Sequence, residues 1–212
     1  MIEKISAEKI EENFKKFSTL CNVLGEERSK NVSKLIEYFG ERLALCPASS
    51  KVEFHACYPG GLIEHSLCVL SNAYKLSKIY LEFDKESIKK DSIILCSLMH
   101  DIGKVGDLKN DYYIVNDSQW HVEKGLYYKI NSAFLQYMTV EDRSLYLLQH
   151  FDIKLSLNEW LAIRLPTISE NDETKSYKMK ENGLGLLLNQ AIRISIFQEK
   201  NYLSDAINSI KI

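Results

Sequence analysis

The run Leu98-Met99-His100-Asp101-Ile102-Gly103-Lys104 sets an imidazole, a carboxylate and an ammonium together at the end of an apolar segment. Ile93, Ile94, Leu95, Cys96, Leu98 and Met99 are apolar on nearly every side of a helix, so the segment is expected to be buried. His100 and Asp101 are costly there unless they are hydrogen-bonded or bind a metal. Taken alone, the pair admits both readings, a satisfied helix end or two ligands. A second segment, Phe54 to Leu67, shifts the balance toward metal. Pro59-Gly60-Gly61 is a turn signal, and Leu62, Val69, Ala73 and Leu76 follow at helical spacing. His65 falls beside Leu62 and Val69 on that inward stripe. Two helices thus each offer an inward imidazole, and one adds a carboxylate. Two histidines and an aspartate can hold a divalent first-row ion and leave positions open for water and substrate.

These segments resemble the HD-domain metal-dependent phosphohydrolases. The resemblance is carried by His65 in Gly60-Gly61-Leu62-Ile63-Glu64-His65-Ser66, then His100-Asp101, then Gly103-Lys104. It extends toward a phage and bacterial branch of HD proteins of undefined substrate through three further stretches. They are Pro47-Ala48-Ser49-Ser50-Lys51 leading into His55, Trp120 to Gly125, and Asp142 to Gln149 running on to Leu165. The resemblance implies an all-α, HD-domain-like helical bundle. It also implies a divalent metal, manganese, iron or magnesium, held by His65, His100 and Asp101, with Asp101 also orienting the nucleophilic water. Lys104 matches the family lysine that contacts substrate phosphate and is expected to act in catalysis. His55 matches a histidine of the same branch, for which a role behind the ligands or against phosphate is expected. Arg143 is a candidate for binding phosphate or for capping a neighbouring carboxylate.

The chain departs from the family pattern at two places. HD enzymes usually add a final Asp from a late helix, and in Leu186 to Ser195 that place falls on Ile192, with Asn189, Gln190 and Ser195 as weak polar neighbours. The family's Asp-Gly loop after Ala162-Ile163-Arg164-Leu165 is replaced by Pro166-Thr167-Ile168-Ser169-Glu170. Both departures predict weaker metal binding, and they keep a catalytically degenerate HD-fold module, binding a nucleotide or a protein partner, as the alternative. An iron-dependent HD oxygenase is a third reading, because two histidines and a carboxylate also suit iron.

Phosphohydrolysis explains why such a set is useful. A divalent cation lowers the pKa of bound water and neutralises charge developing on phosphoryl oxygens. Each ligating imidazole must be neutral, and its second nitrogen needs a carboxylate or carbonyl to fix it. Glu64 is expected to face elsewhere on its helix and is not assigned that role. His121 is read as a surface residue, and His150 as a helix-end imidazole favoured by the dipole; both are also weighed as extra ligands. Tyr58, Tyr112 and Tyr113 fall in loops that can border the site and stack on a nucleobase. The net charge of -2 provides no global positive field. A nucleotide or short single-stranded nucleic acid is therefore expected as partner, rather than double-stranded DNA, whose binding draws on many Lys/Arg phosphate contacts.

The elements that must position these groups are mostly helices. The 212 residues are expected to form a single domain, 1–212, in which residues 1–45 pack on a core built from 46–212. The 45% hydrophobic and 26% charged content is that of an ordinary globular protein. No apolar stretch reaches bilayer length, Met1-Ile2-Glu3-Lys4 opens no signal-peptide core, and the five cysteines lack Cys-x-x-Cys spacing. A cytoplasmic location with reduced thiols and no membrane partner is expected. Three prolines separate the helical patterns. Helices are predicted over Ala7 to Leu45 with a break near Gly25, Leu62 to Phe83, Lys85 to Ile102, and Leu186 to Ser209. Thr139-Val140-Glu141-Asp142 resembles a capping box, and Ser156-Leu157-Asn158-Glu159 fits that motif better. Val105 to Gln119 is predicted as loop with a short hairpin at Tyr112 to Val115, and Ser169 to Gly185 as a polar loop.

Overall fold

The computed structural model describes residues 5–82, 88–134, 138–165 and 180–209, with residues 202–209 as backbone only. The expected helix end at Phe83, the helix start at Lys85 and the substituted loop 166–170 lie outside the described residues. Within them the chain is mostly helical, in line with the all-α expectation. The helices are α1 (Ala7–Cys21), α2 (Glu26–Leu45), α3 (Gly61–Tyr80), α4 (Lys90–Met99), α5 (Gln119–Glu123), α6 (Val140–His150), α7 (Leu157–Arg164) and α8 (Gly183–Ser209). No described helix is long and apolar enough to cross a membrane.

Local signals account for most of the boundaries. Ser6 accepts from the Lys9 N–H to start α1, and the chain breaks again before α2 at Gly25. Ser156 and Glu159 form a complete capping box at α7, whereas the Thr139 side chain accepts from the Asp142 N–H at α6. The expected hairpin at Tyr112 to Val115 is corrected in its pairing. β1 (Tyr113–Val115) is a strand, but its antiparallel partner is β2 (Tyr128–Ile130), beyond α5, with Tyr113 opposite Ile130 and Val115 opposite Tyr128. Backbone hydrogen bonding across the ribbon outweighs any tight local turn.

One apolar cluster runs through the helices. Phe17, Leu35 and Leu43 of the first two helices join Ile63 and Val69 of α3, Ile94 and Leu98 of α4, Leu147 of α6, Ile163 of α7 and Leu187 of α8. Each such side chain contributes roughly 1.5–3 kcal/mol on full burial. Helix α3 packs chiefly against α8 and α4, and every residue of α4 from Ser92 to Met99 is buried. The chain leaves α4 at His100 and turns through a short 3-10 segment, Ile102–Val105.

Two glycines let neighbouring backbone close on this turn and on the start of α3. A Cβ on Gly103 would lie 2.3 Å from the Val140 carbonyl oxygen, so α6 rests directly on the turn. A Cβ on Gly61 would lie 2.0 Å from the Ala56 carbonyl oxygen, where the preceding loop folds over α3. Ser144 ties α6 to the turn: its Oγ accepts the Gly103 N–H at 2.9 Å and lies 2.9 Å from the carbonyls of His100 and Val140.

Candidate metal centre

Helix α3 delivers His65 to the interior and the end of α4 delivers His100; their exposures are 1% and 2%. Asp101 follows at the turn that Gly103 and Ser144 hold against α6. Asp101 Oδ2 lies 3.9 Å from His65 Nε2 and 3.5 Å from His100 Nε2, and neither nitrogen is hydrogen-bonded. One ligand atom from each of the three residues lies within 4.8 Å of the others, as an ion shared among them requires. These groups could hold a metal ion.

The proton positions follow from what the other ring nitrogens touch. His100 Nδ1 lies 3.0 Å from the Ser97 carbonyl oxygen, an acceptor only, so Nδ1 carries the proton and Nε2 carries the lone pair. His65 Nδ1 lies 2.9 Å and 3.1 Å from the two carboxylate oxygens of Glu199. That contact suits a proton on Nδ1 of His65. The Nε2 atoms of His55, His65 and His100 are all buried without a hydrogen-bond partner. The His55 ring stands 4.5 Å from that of His65, and the His65 ring 5.5 Å from that of His100. Buried polar atoms are normally paired, and His65 belongs to two groups that could hold a metal ion, one with His100 and Asp101 and one with His55 and Glu199.

Electrostatics hold His100 and Asp101 in the forms that can ligate. Burial, more than the nearby charges, pushes the His100 pKa down to about 4, so the ring is neutral at pH 7. Burial likewise drives His55 far below the ordinary histidine value, with His65 and Lys104 adding to the effect. For Asp101, burial alone would raise the pKa. Lys104 first, and the two imidazoles after it, reverse that and hold the carboxyl well below the usual range. Lys104 Nζ donates to Asp101 Oδ2 at 2.5 Å.

Other candidate residues are placed differently. Arg143 is 2% exposed; it donates to the carbonyls of Gly103 (2.9 Å) and Met138 (3.1 Å), and its guanidinium lies 4.4 Å from the Tyr112 ring and 4.3 Å from Phe134. Its described contacts brace the turn that carries Asp101. His121 sits half-buried on α5 beside Trp120, and His150 is exposed in the last turn of α6; neither joins a metal-ligand group among the described residues. Glu64 accepts from the Tyr58 hydroxyl at 3.3 Å, and burial raises both pKa values. Cys21, Cys46, Cys57 and Cys96 are buried free thiols, and burial raises the pKa of each.

Comparison with family models, curated proteins and solved structures finds no match for this chain. The geometry stands alone.

The late helix packs along α3. Helices α3 and α8 run antiparallel, with Asn72 Nδ2 2.8 Å from Ser195 Oγ and His65 opposite Glu199. Each step back along α8 from Glu199 therefore leads away from His65. Ile192, 4% exposed, lies two turns back in the apolar core. The acidic residue of this helix that reaches the cluster is Glu199, which sequence reading missed. A signal existed: Leu188, Ile192, Ser195 and Glu199 continue one helical stripe, and a carboxylate on a buried stripe needs a partner.

Beside Lys104 opens a cavity of about 290 Å³, lined by Arg42, Cys46, Asp111, Tyr113 and Tyr128 among others. Arg42 is already tied to Asp111 at 2.5 Å. A larger cavity of about 500 Å³, lined by Tyr146, Gln149 and Trp160 among others, includes none of the clustered residues.

Proposed function

We propose that the chain is a metal-dependent phosphohydrolase of the HD type, acting on a nucleotide or a short single-stranded nucleic-acid phosphoester. The observation that carries this reading is the pair of buried, unpartnered imidazole nitrogens of His65 and His100, 3.9 Å and 3.5 Å from an ionised Asp101. His65, His100 and Asp101 would hold a manganese, iron or magnesium ion, and the bound ion would supply an acidified water and neutralise phosphoryl charge. Asp101, held ionised by Lys104, would ligate the ion and orient a water in the site. Lys104 carries a compact ammonium on a flexible stem, suited to meeting a phosphate oxygen as it leaves Asp101. The adjoining cavity offers two half-buried tyrosine rings, Tyr113 and Tyr128, 6.4 Å apart, against which a base can pack. The chain's net negative charge disfavours long duplexes.

A second reading, a module that binds a nucleotide or a protein partner without turnover, draws on two observations. Lys104 is engaged with Asp101, and the late-helix carboxylate reaches an imidazole. The test is metal analysis of the purified protein, followed by phosphate and nucleotide release from mononucleotides, cyclic nucleotides and short oligonucleotides with added manganese. Release that disappears in His100→Ala supports hydrolysis. Silence across the panel with retained ligand binding favours the module.

A further inference from the structure

We propose that Glu199 is a positioning residue: its carboxylate holds the proton of His65 on Nδ1 and so aims the Nε2 lone pair of His65 at the metal site. The inference rests on the metal-binding reading above and deepens it by assigning a residue that no sequence motif pointed to.

Both carboxylate oxygens of Glu199 lie within hydrogen-bond distance of one ring nitrogen, 2.9 Å and 3.1 Å from Nδ1. With both carboxylate oxygens converging on one ring nitrogen, the atom shared between them is an N–H. The opposite nitrogen, Nε2, is then the lone-pair atom, and it is buried, unpartnered and turned toward Asp101. The same device appears independently at His100, where the Ser97 carbonyl takes the Nδ1 proton and Nε2 is again left open. Two imidazoles from two helices are thus fixed in one tautomer with their lone pairs on a common space.

The two fixing groups differ in strength. A carbonyl fixes orientation; a carboxylate also raises electron density at the distal nitrogen, which makes it a better donor to a cation. The stronger fixing group therefore serves the imidazole on α3. The interhelical contacts of Asn72 with Ser195 and Gln198, at 2.8 Å and 2.9 Å, hold α8 in the register this contact needs.

The test uses the full chain and Mn(II) alone as probe, with Glu199→Ala and Glu199→Gln. Long-range proton–nitrogen NMR on the metal-free protein reads the tautomer of His65 directly. Wild type is expected to show His65 with its proton on Nδ1. Glu199→Ala is expected to lose that single tautomer and to weaken Mn(II) binding by about 10- to 100-fold. In Glu199→Gln the side-chain oxygen still accepts from Nδ1, so the tautomer is expected to persist and affinity to fall between the two. A wild-type His65 protonated on Nε2, or a Glu199→Ala protein that binds Mn(II) as tightly as wild type, overturns the proposal. If wild type binds no Mn(II), the metal reading falls by itself, and the tautomer comparison alone decides the role of Glu199.

Discussion

Two buried polar clusters in this molecule are built on opposite principles. At the start of α7, Glu159 is 1% exposed, and every direction around its carboxylate is filled. Arg28 donates to both oxygens at 3.0 Å and 3.2 Å, Ser92 Oγ at 2.7 Å and the Ser156 N–H at 2.7 Å. Burial alone would raise its pKa, but those donors reverse the effect and lower it. In the imidazole cluster the outward-facing nitrogens are fixed just as firmly, by Ser97 and Glu199, while the inward-facing ones are left open. A filled cluster converts buried polarity into stability; an open one holds it in reserve for a ligand.

The contrast is sharpest if the filled cluster is broken. Glu159→Ala removes a helix cap and strands Arg28 and Ser92, and it is expected to lower unfolding free energy by about 4 kcal/mol. Urea denaturation checks this, and Mn(II) affinity measured on the folded variant should stay near wild type. Acid should reveal the open cluster. His100 is held neutral down to about pH 4 in the fold, whereas the unfolded chain takes up its proton near the ordinary value of 6.5. Between those values the unfolded state binds more protons, so stability falls as pH falls, on the order of 3 kcal/mol from His100, with the depressed His55 adding a loss of the same sign. Denaturation curves at pH 7, 5.5 and 4.5 measure the slope; a flat profile would count against a neutral buried His100.

A smaller loss is expected at the hinge between the two halves of the site. Ser144→Ala leaves the Gly103 N–H buried without its acceptor and should cost about 2 kcal/mol, with a parallel drop in Mn(II) affinity as the Asp101 turn loosens. Smallest of all should be His100→Leu. It exchanges a ring with an unpaired nitrogen for an apolar side chain, so the metal-free protein is expected to stay within about 1 kcal/mol of wild type while Mn(II) binding is lost. A large destabilisation without metal would show that His100 belongs with the filled cluster after all.

Local patterns in the sequence reveal much of this and miss what depends on distant partners. The break at Gly25, the start of α3 after Pro59-Gly60 and the cap at Ser156 are each written within a few neighbouring residues. The inward faces of His65 and His100 are legible for the same reason, because a buried stripe is a local periodicity. The pairing of β1 with β2 across α5 is not, since neither strand carries a turn signal that names the other. Glu199 escaped notice because the register of α8 against α3 is set by contacts such as Asn72 with Ser195, between residues far apart in the chain. The structure also shows Arg143 engaged with backbone carbonyls and aromatic rings, surroundings that spacing does not encode.

The placement of Glu199 on α8 also carries a consequence for biogenesis. A ribosome makes α3, α4 and the Asp101 turn before it makes α8, and domains generally fold as units. Until α8 is made, α3 lacks its largest packing partner and His65 lacks the carboxylate that it faces in the fold. Docking of α8 is then one event with two results: it covers α3, and it brings Glu199 to His65.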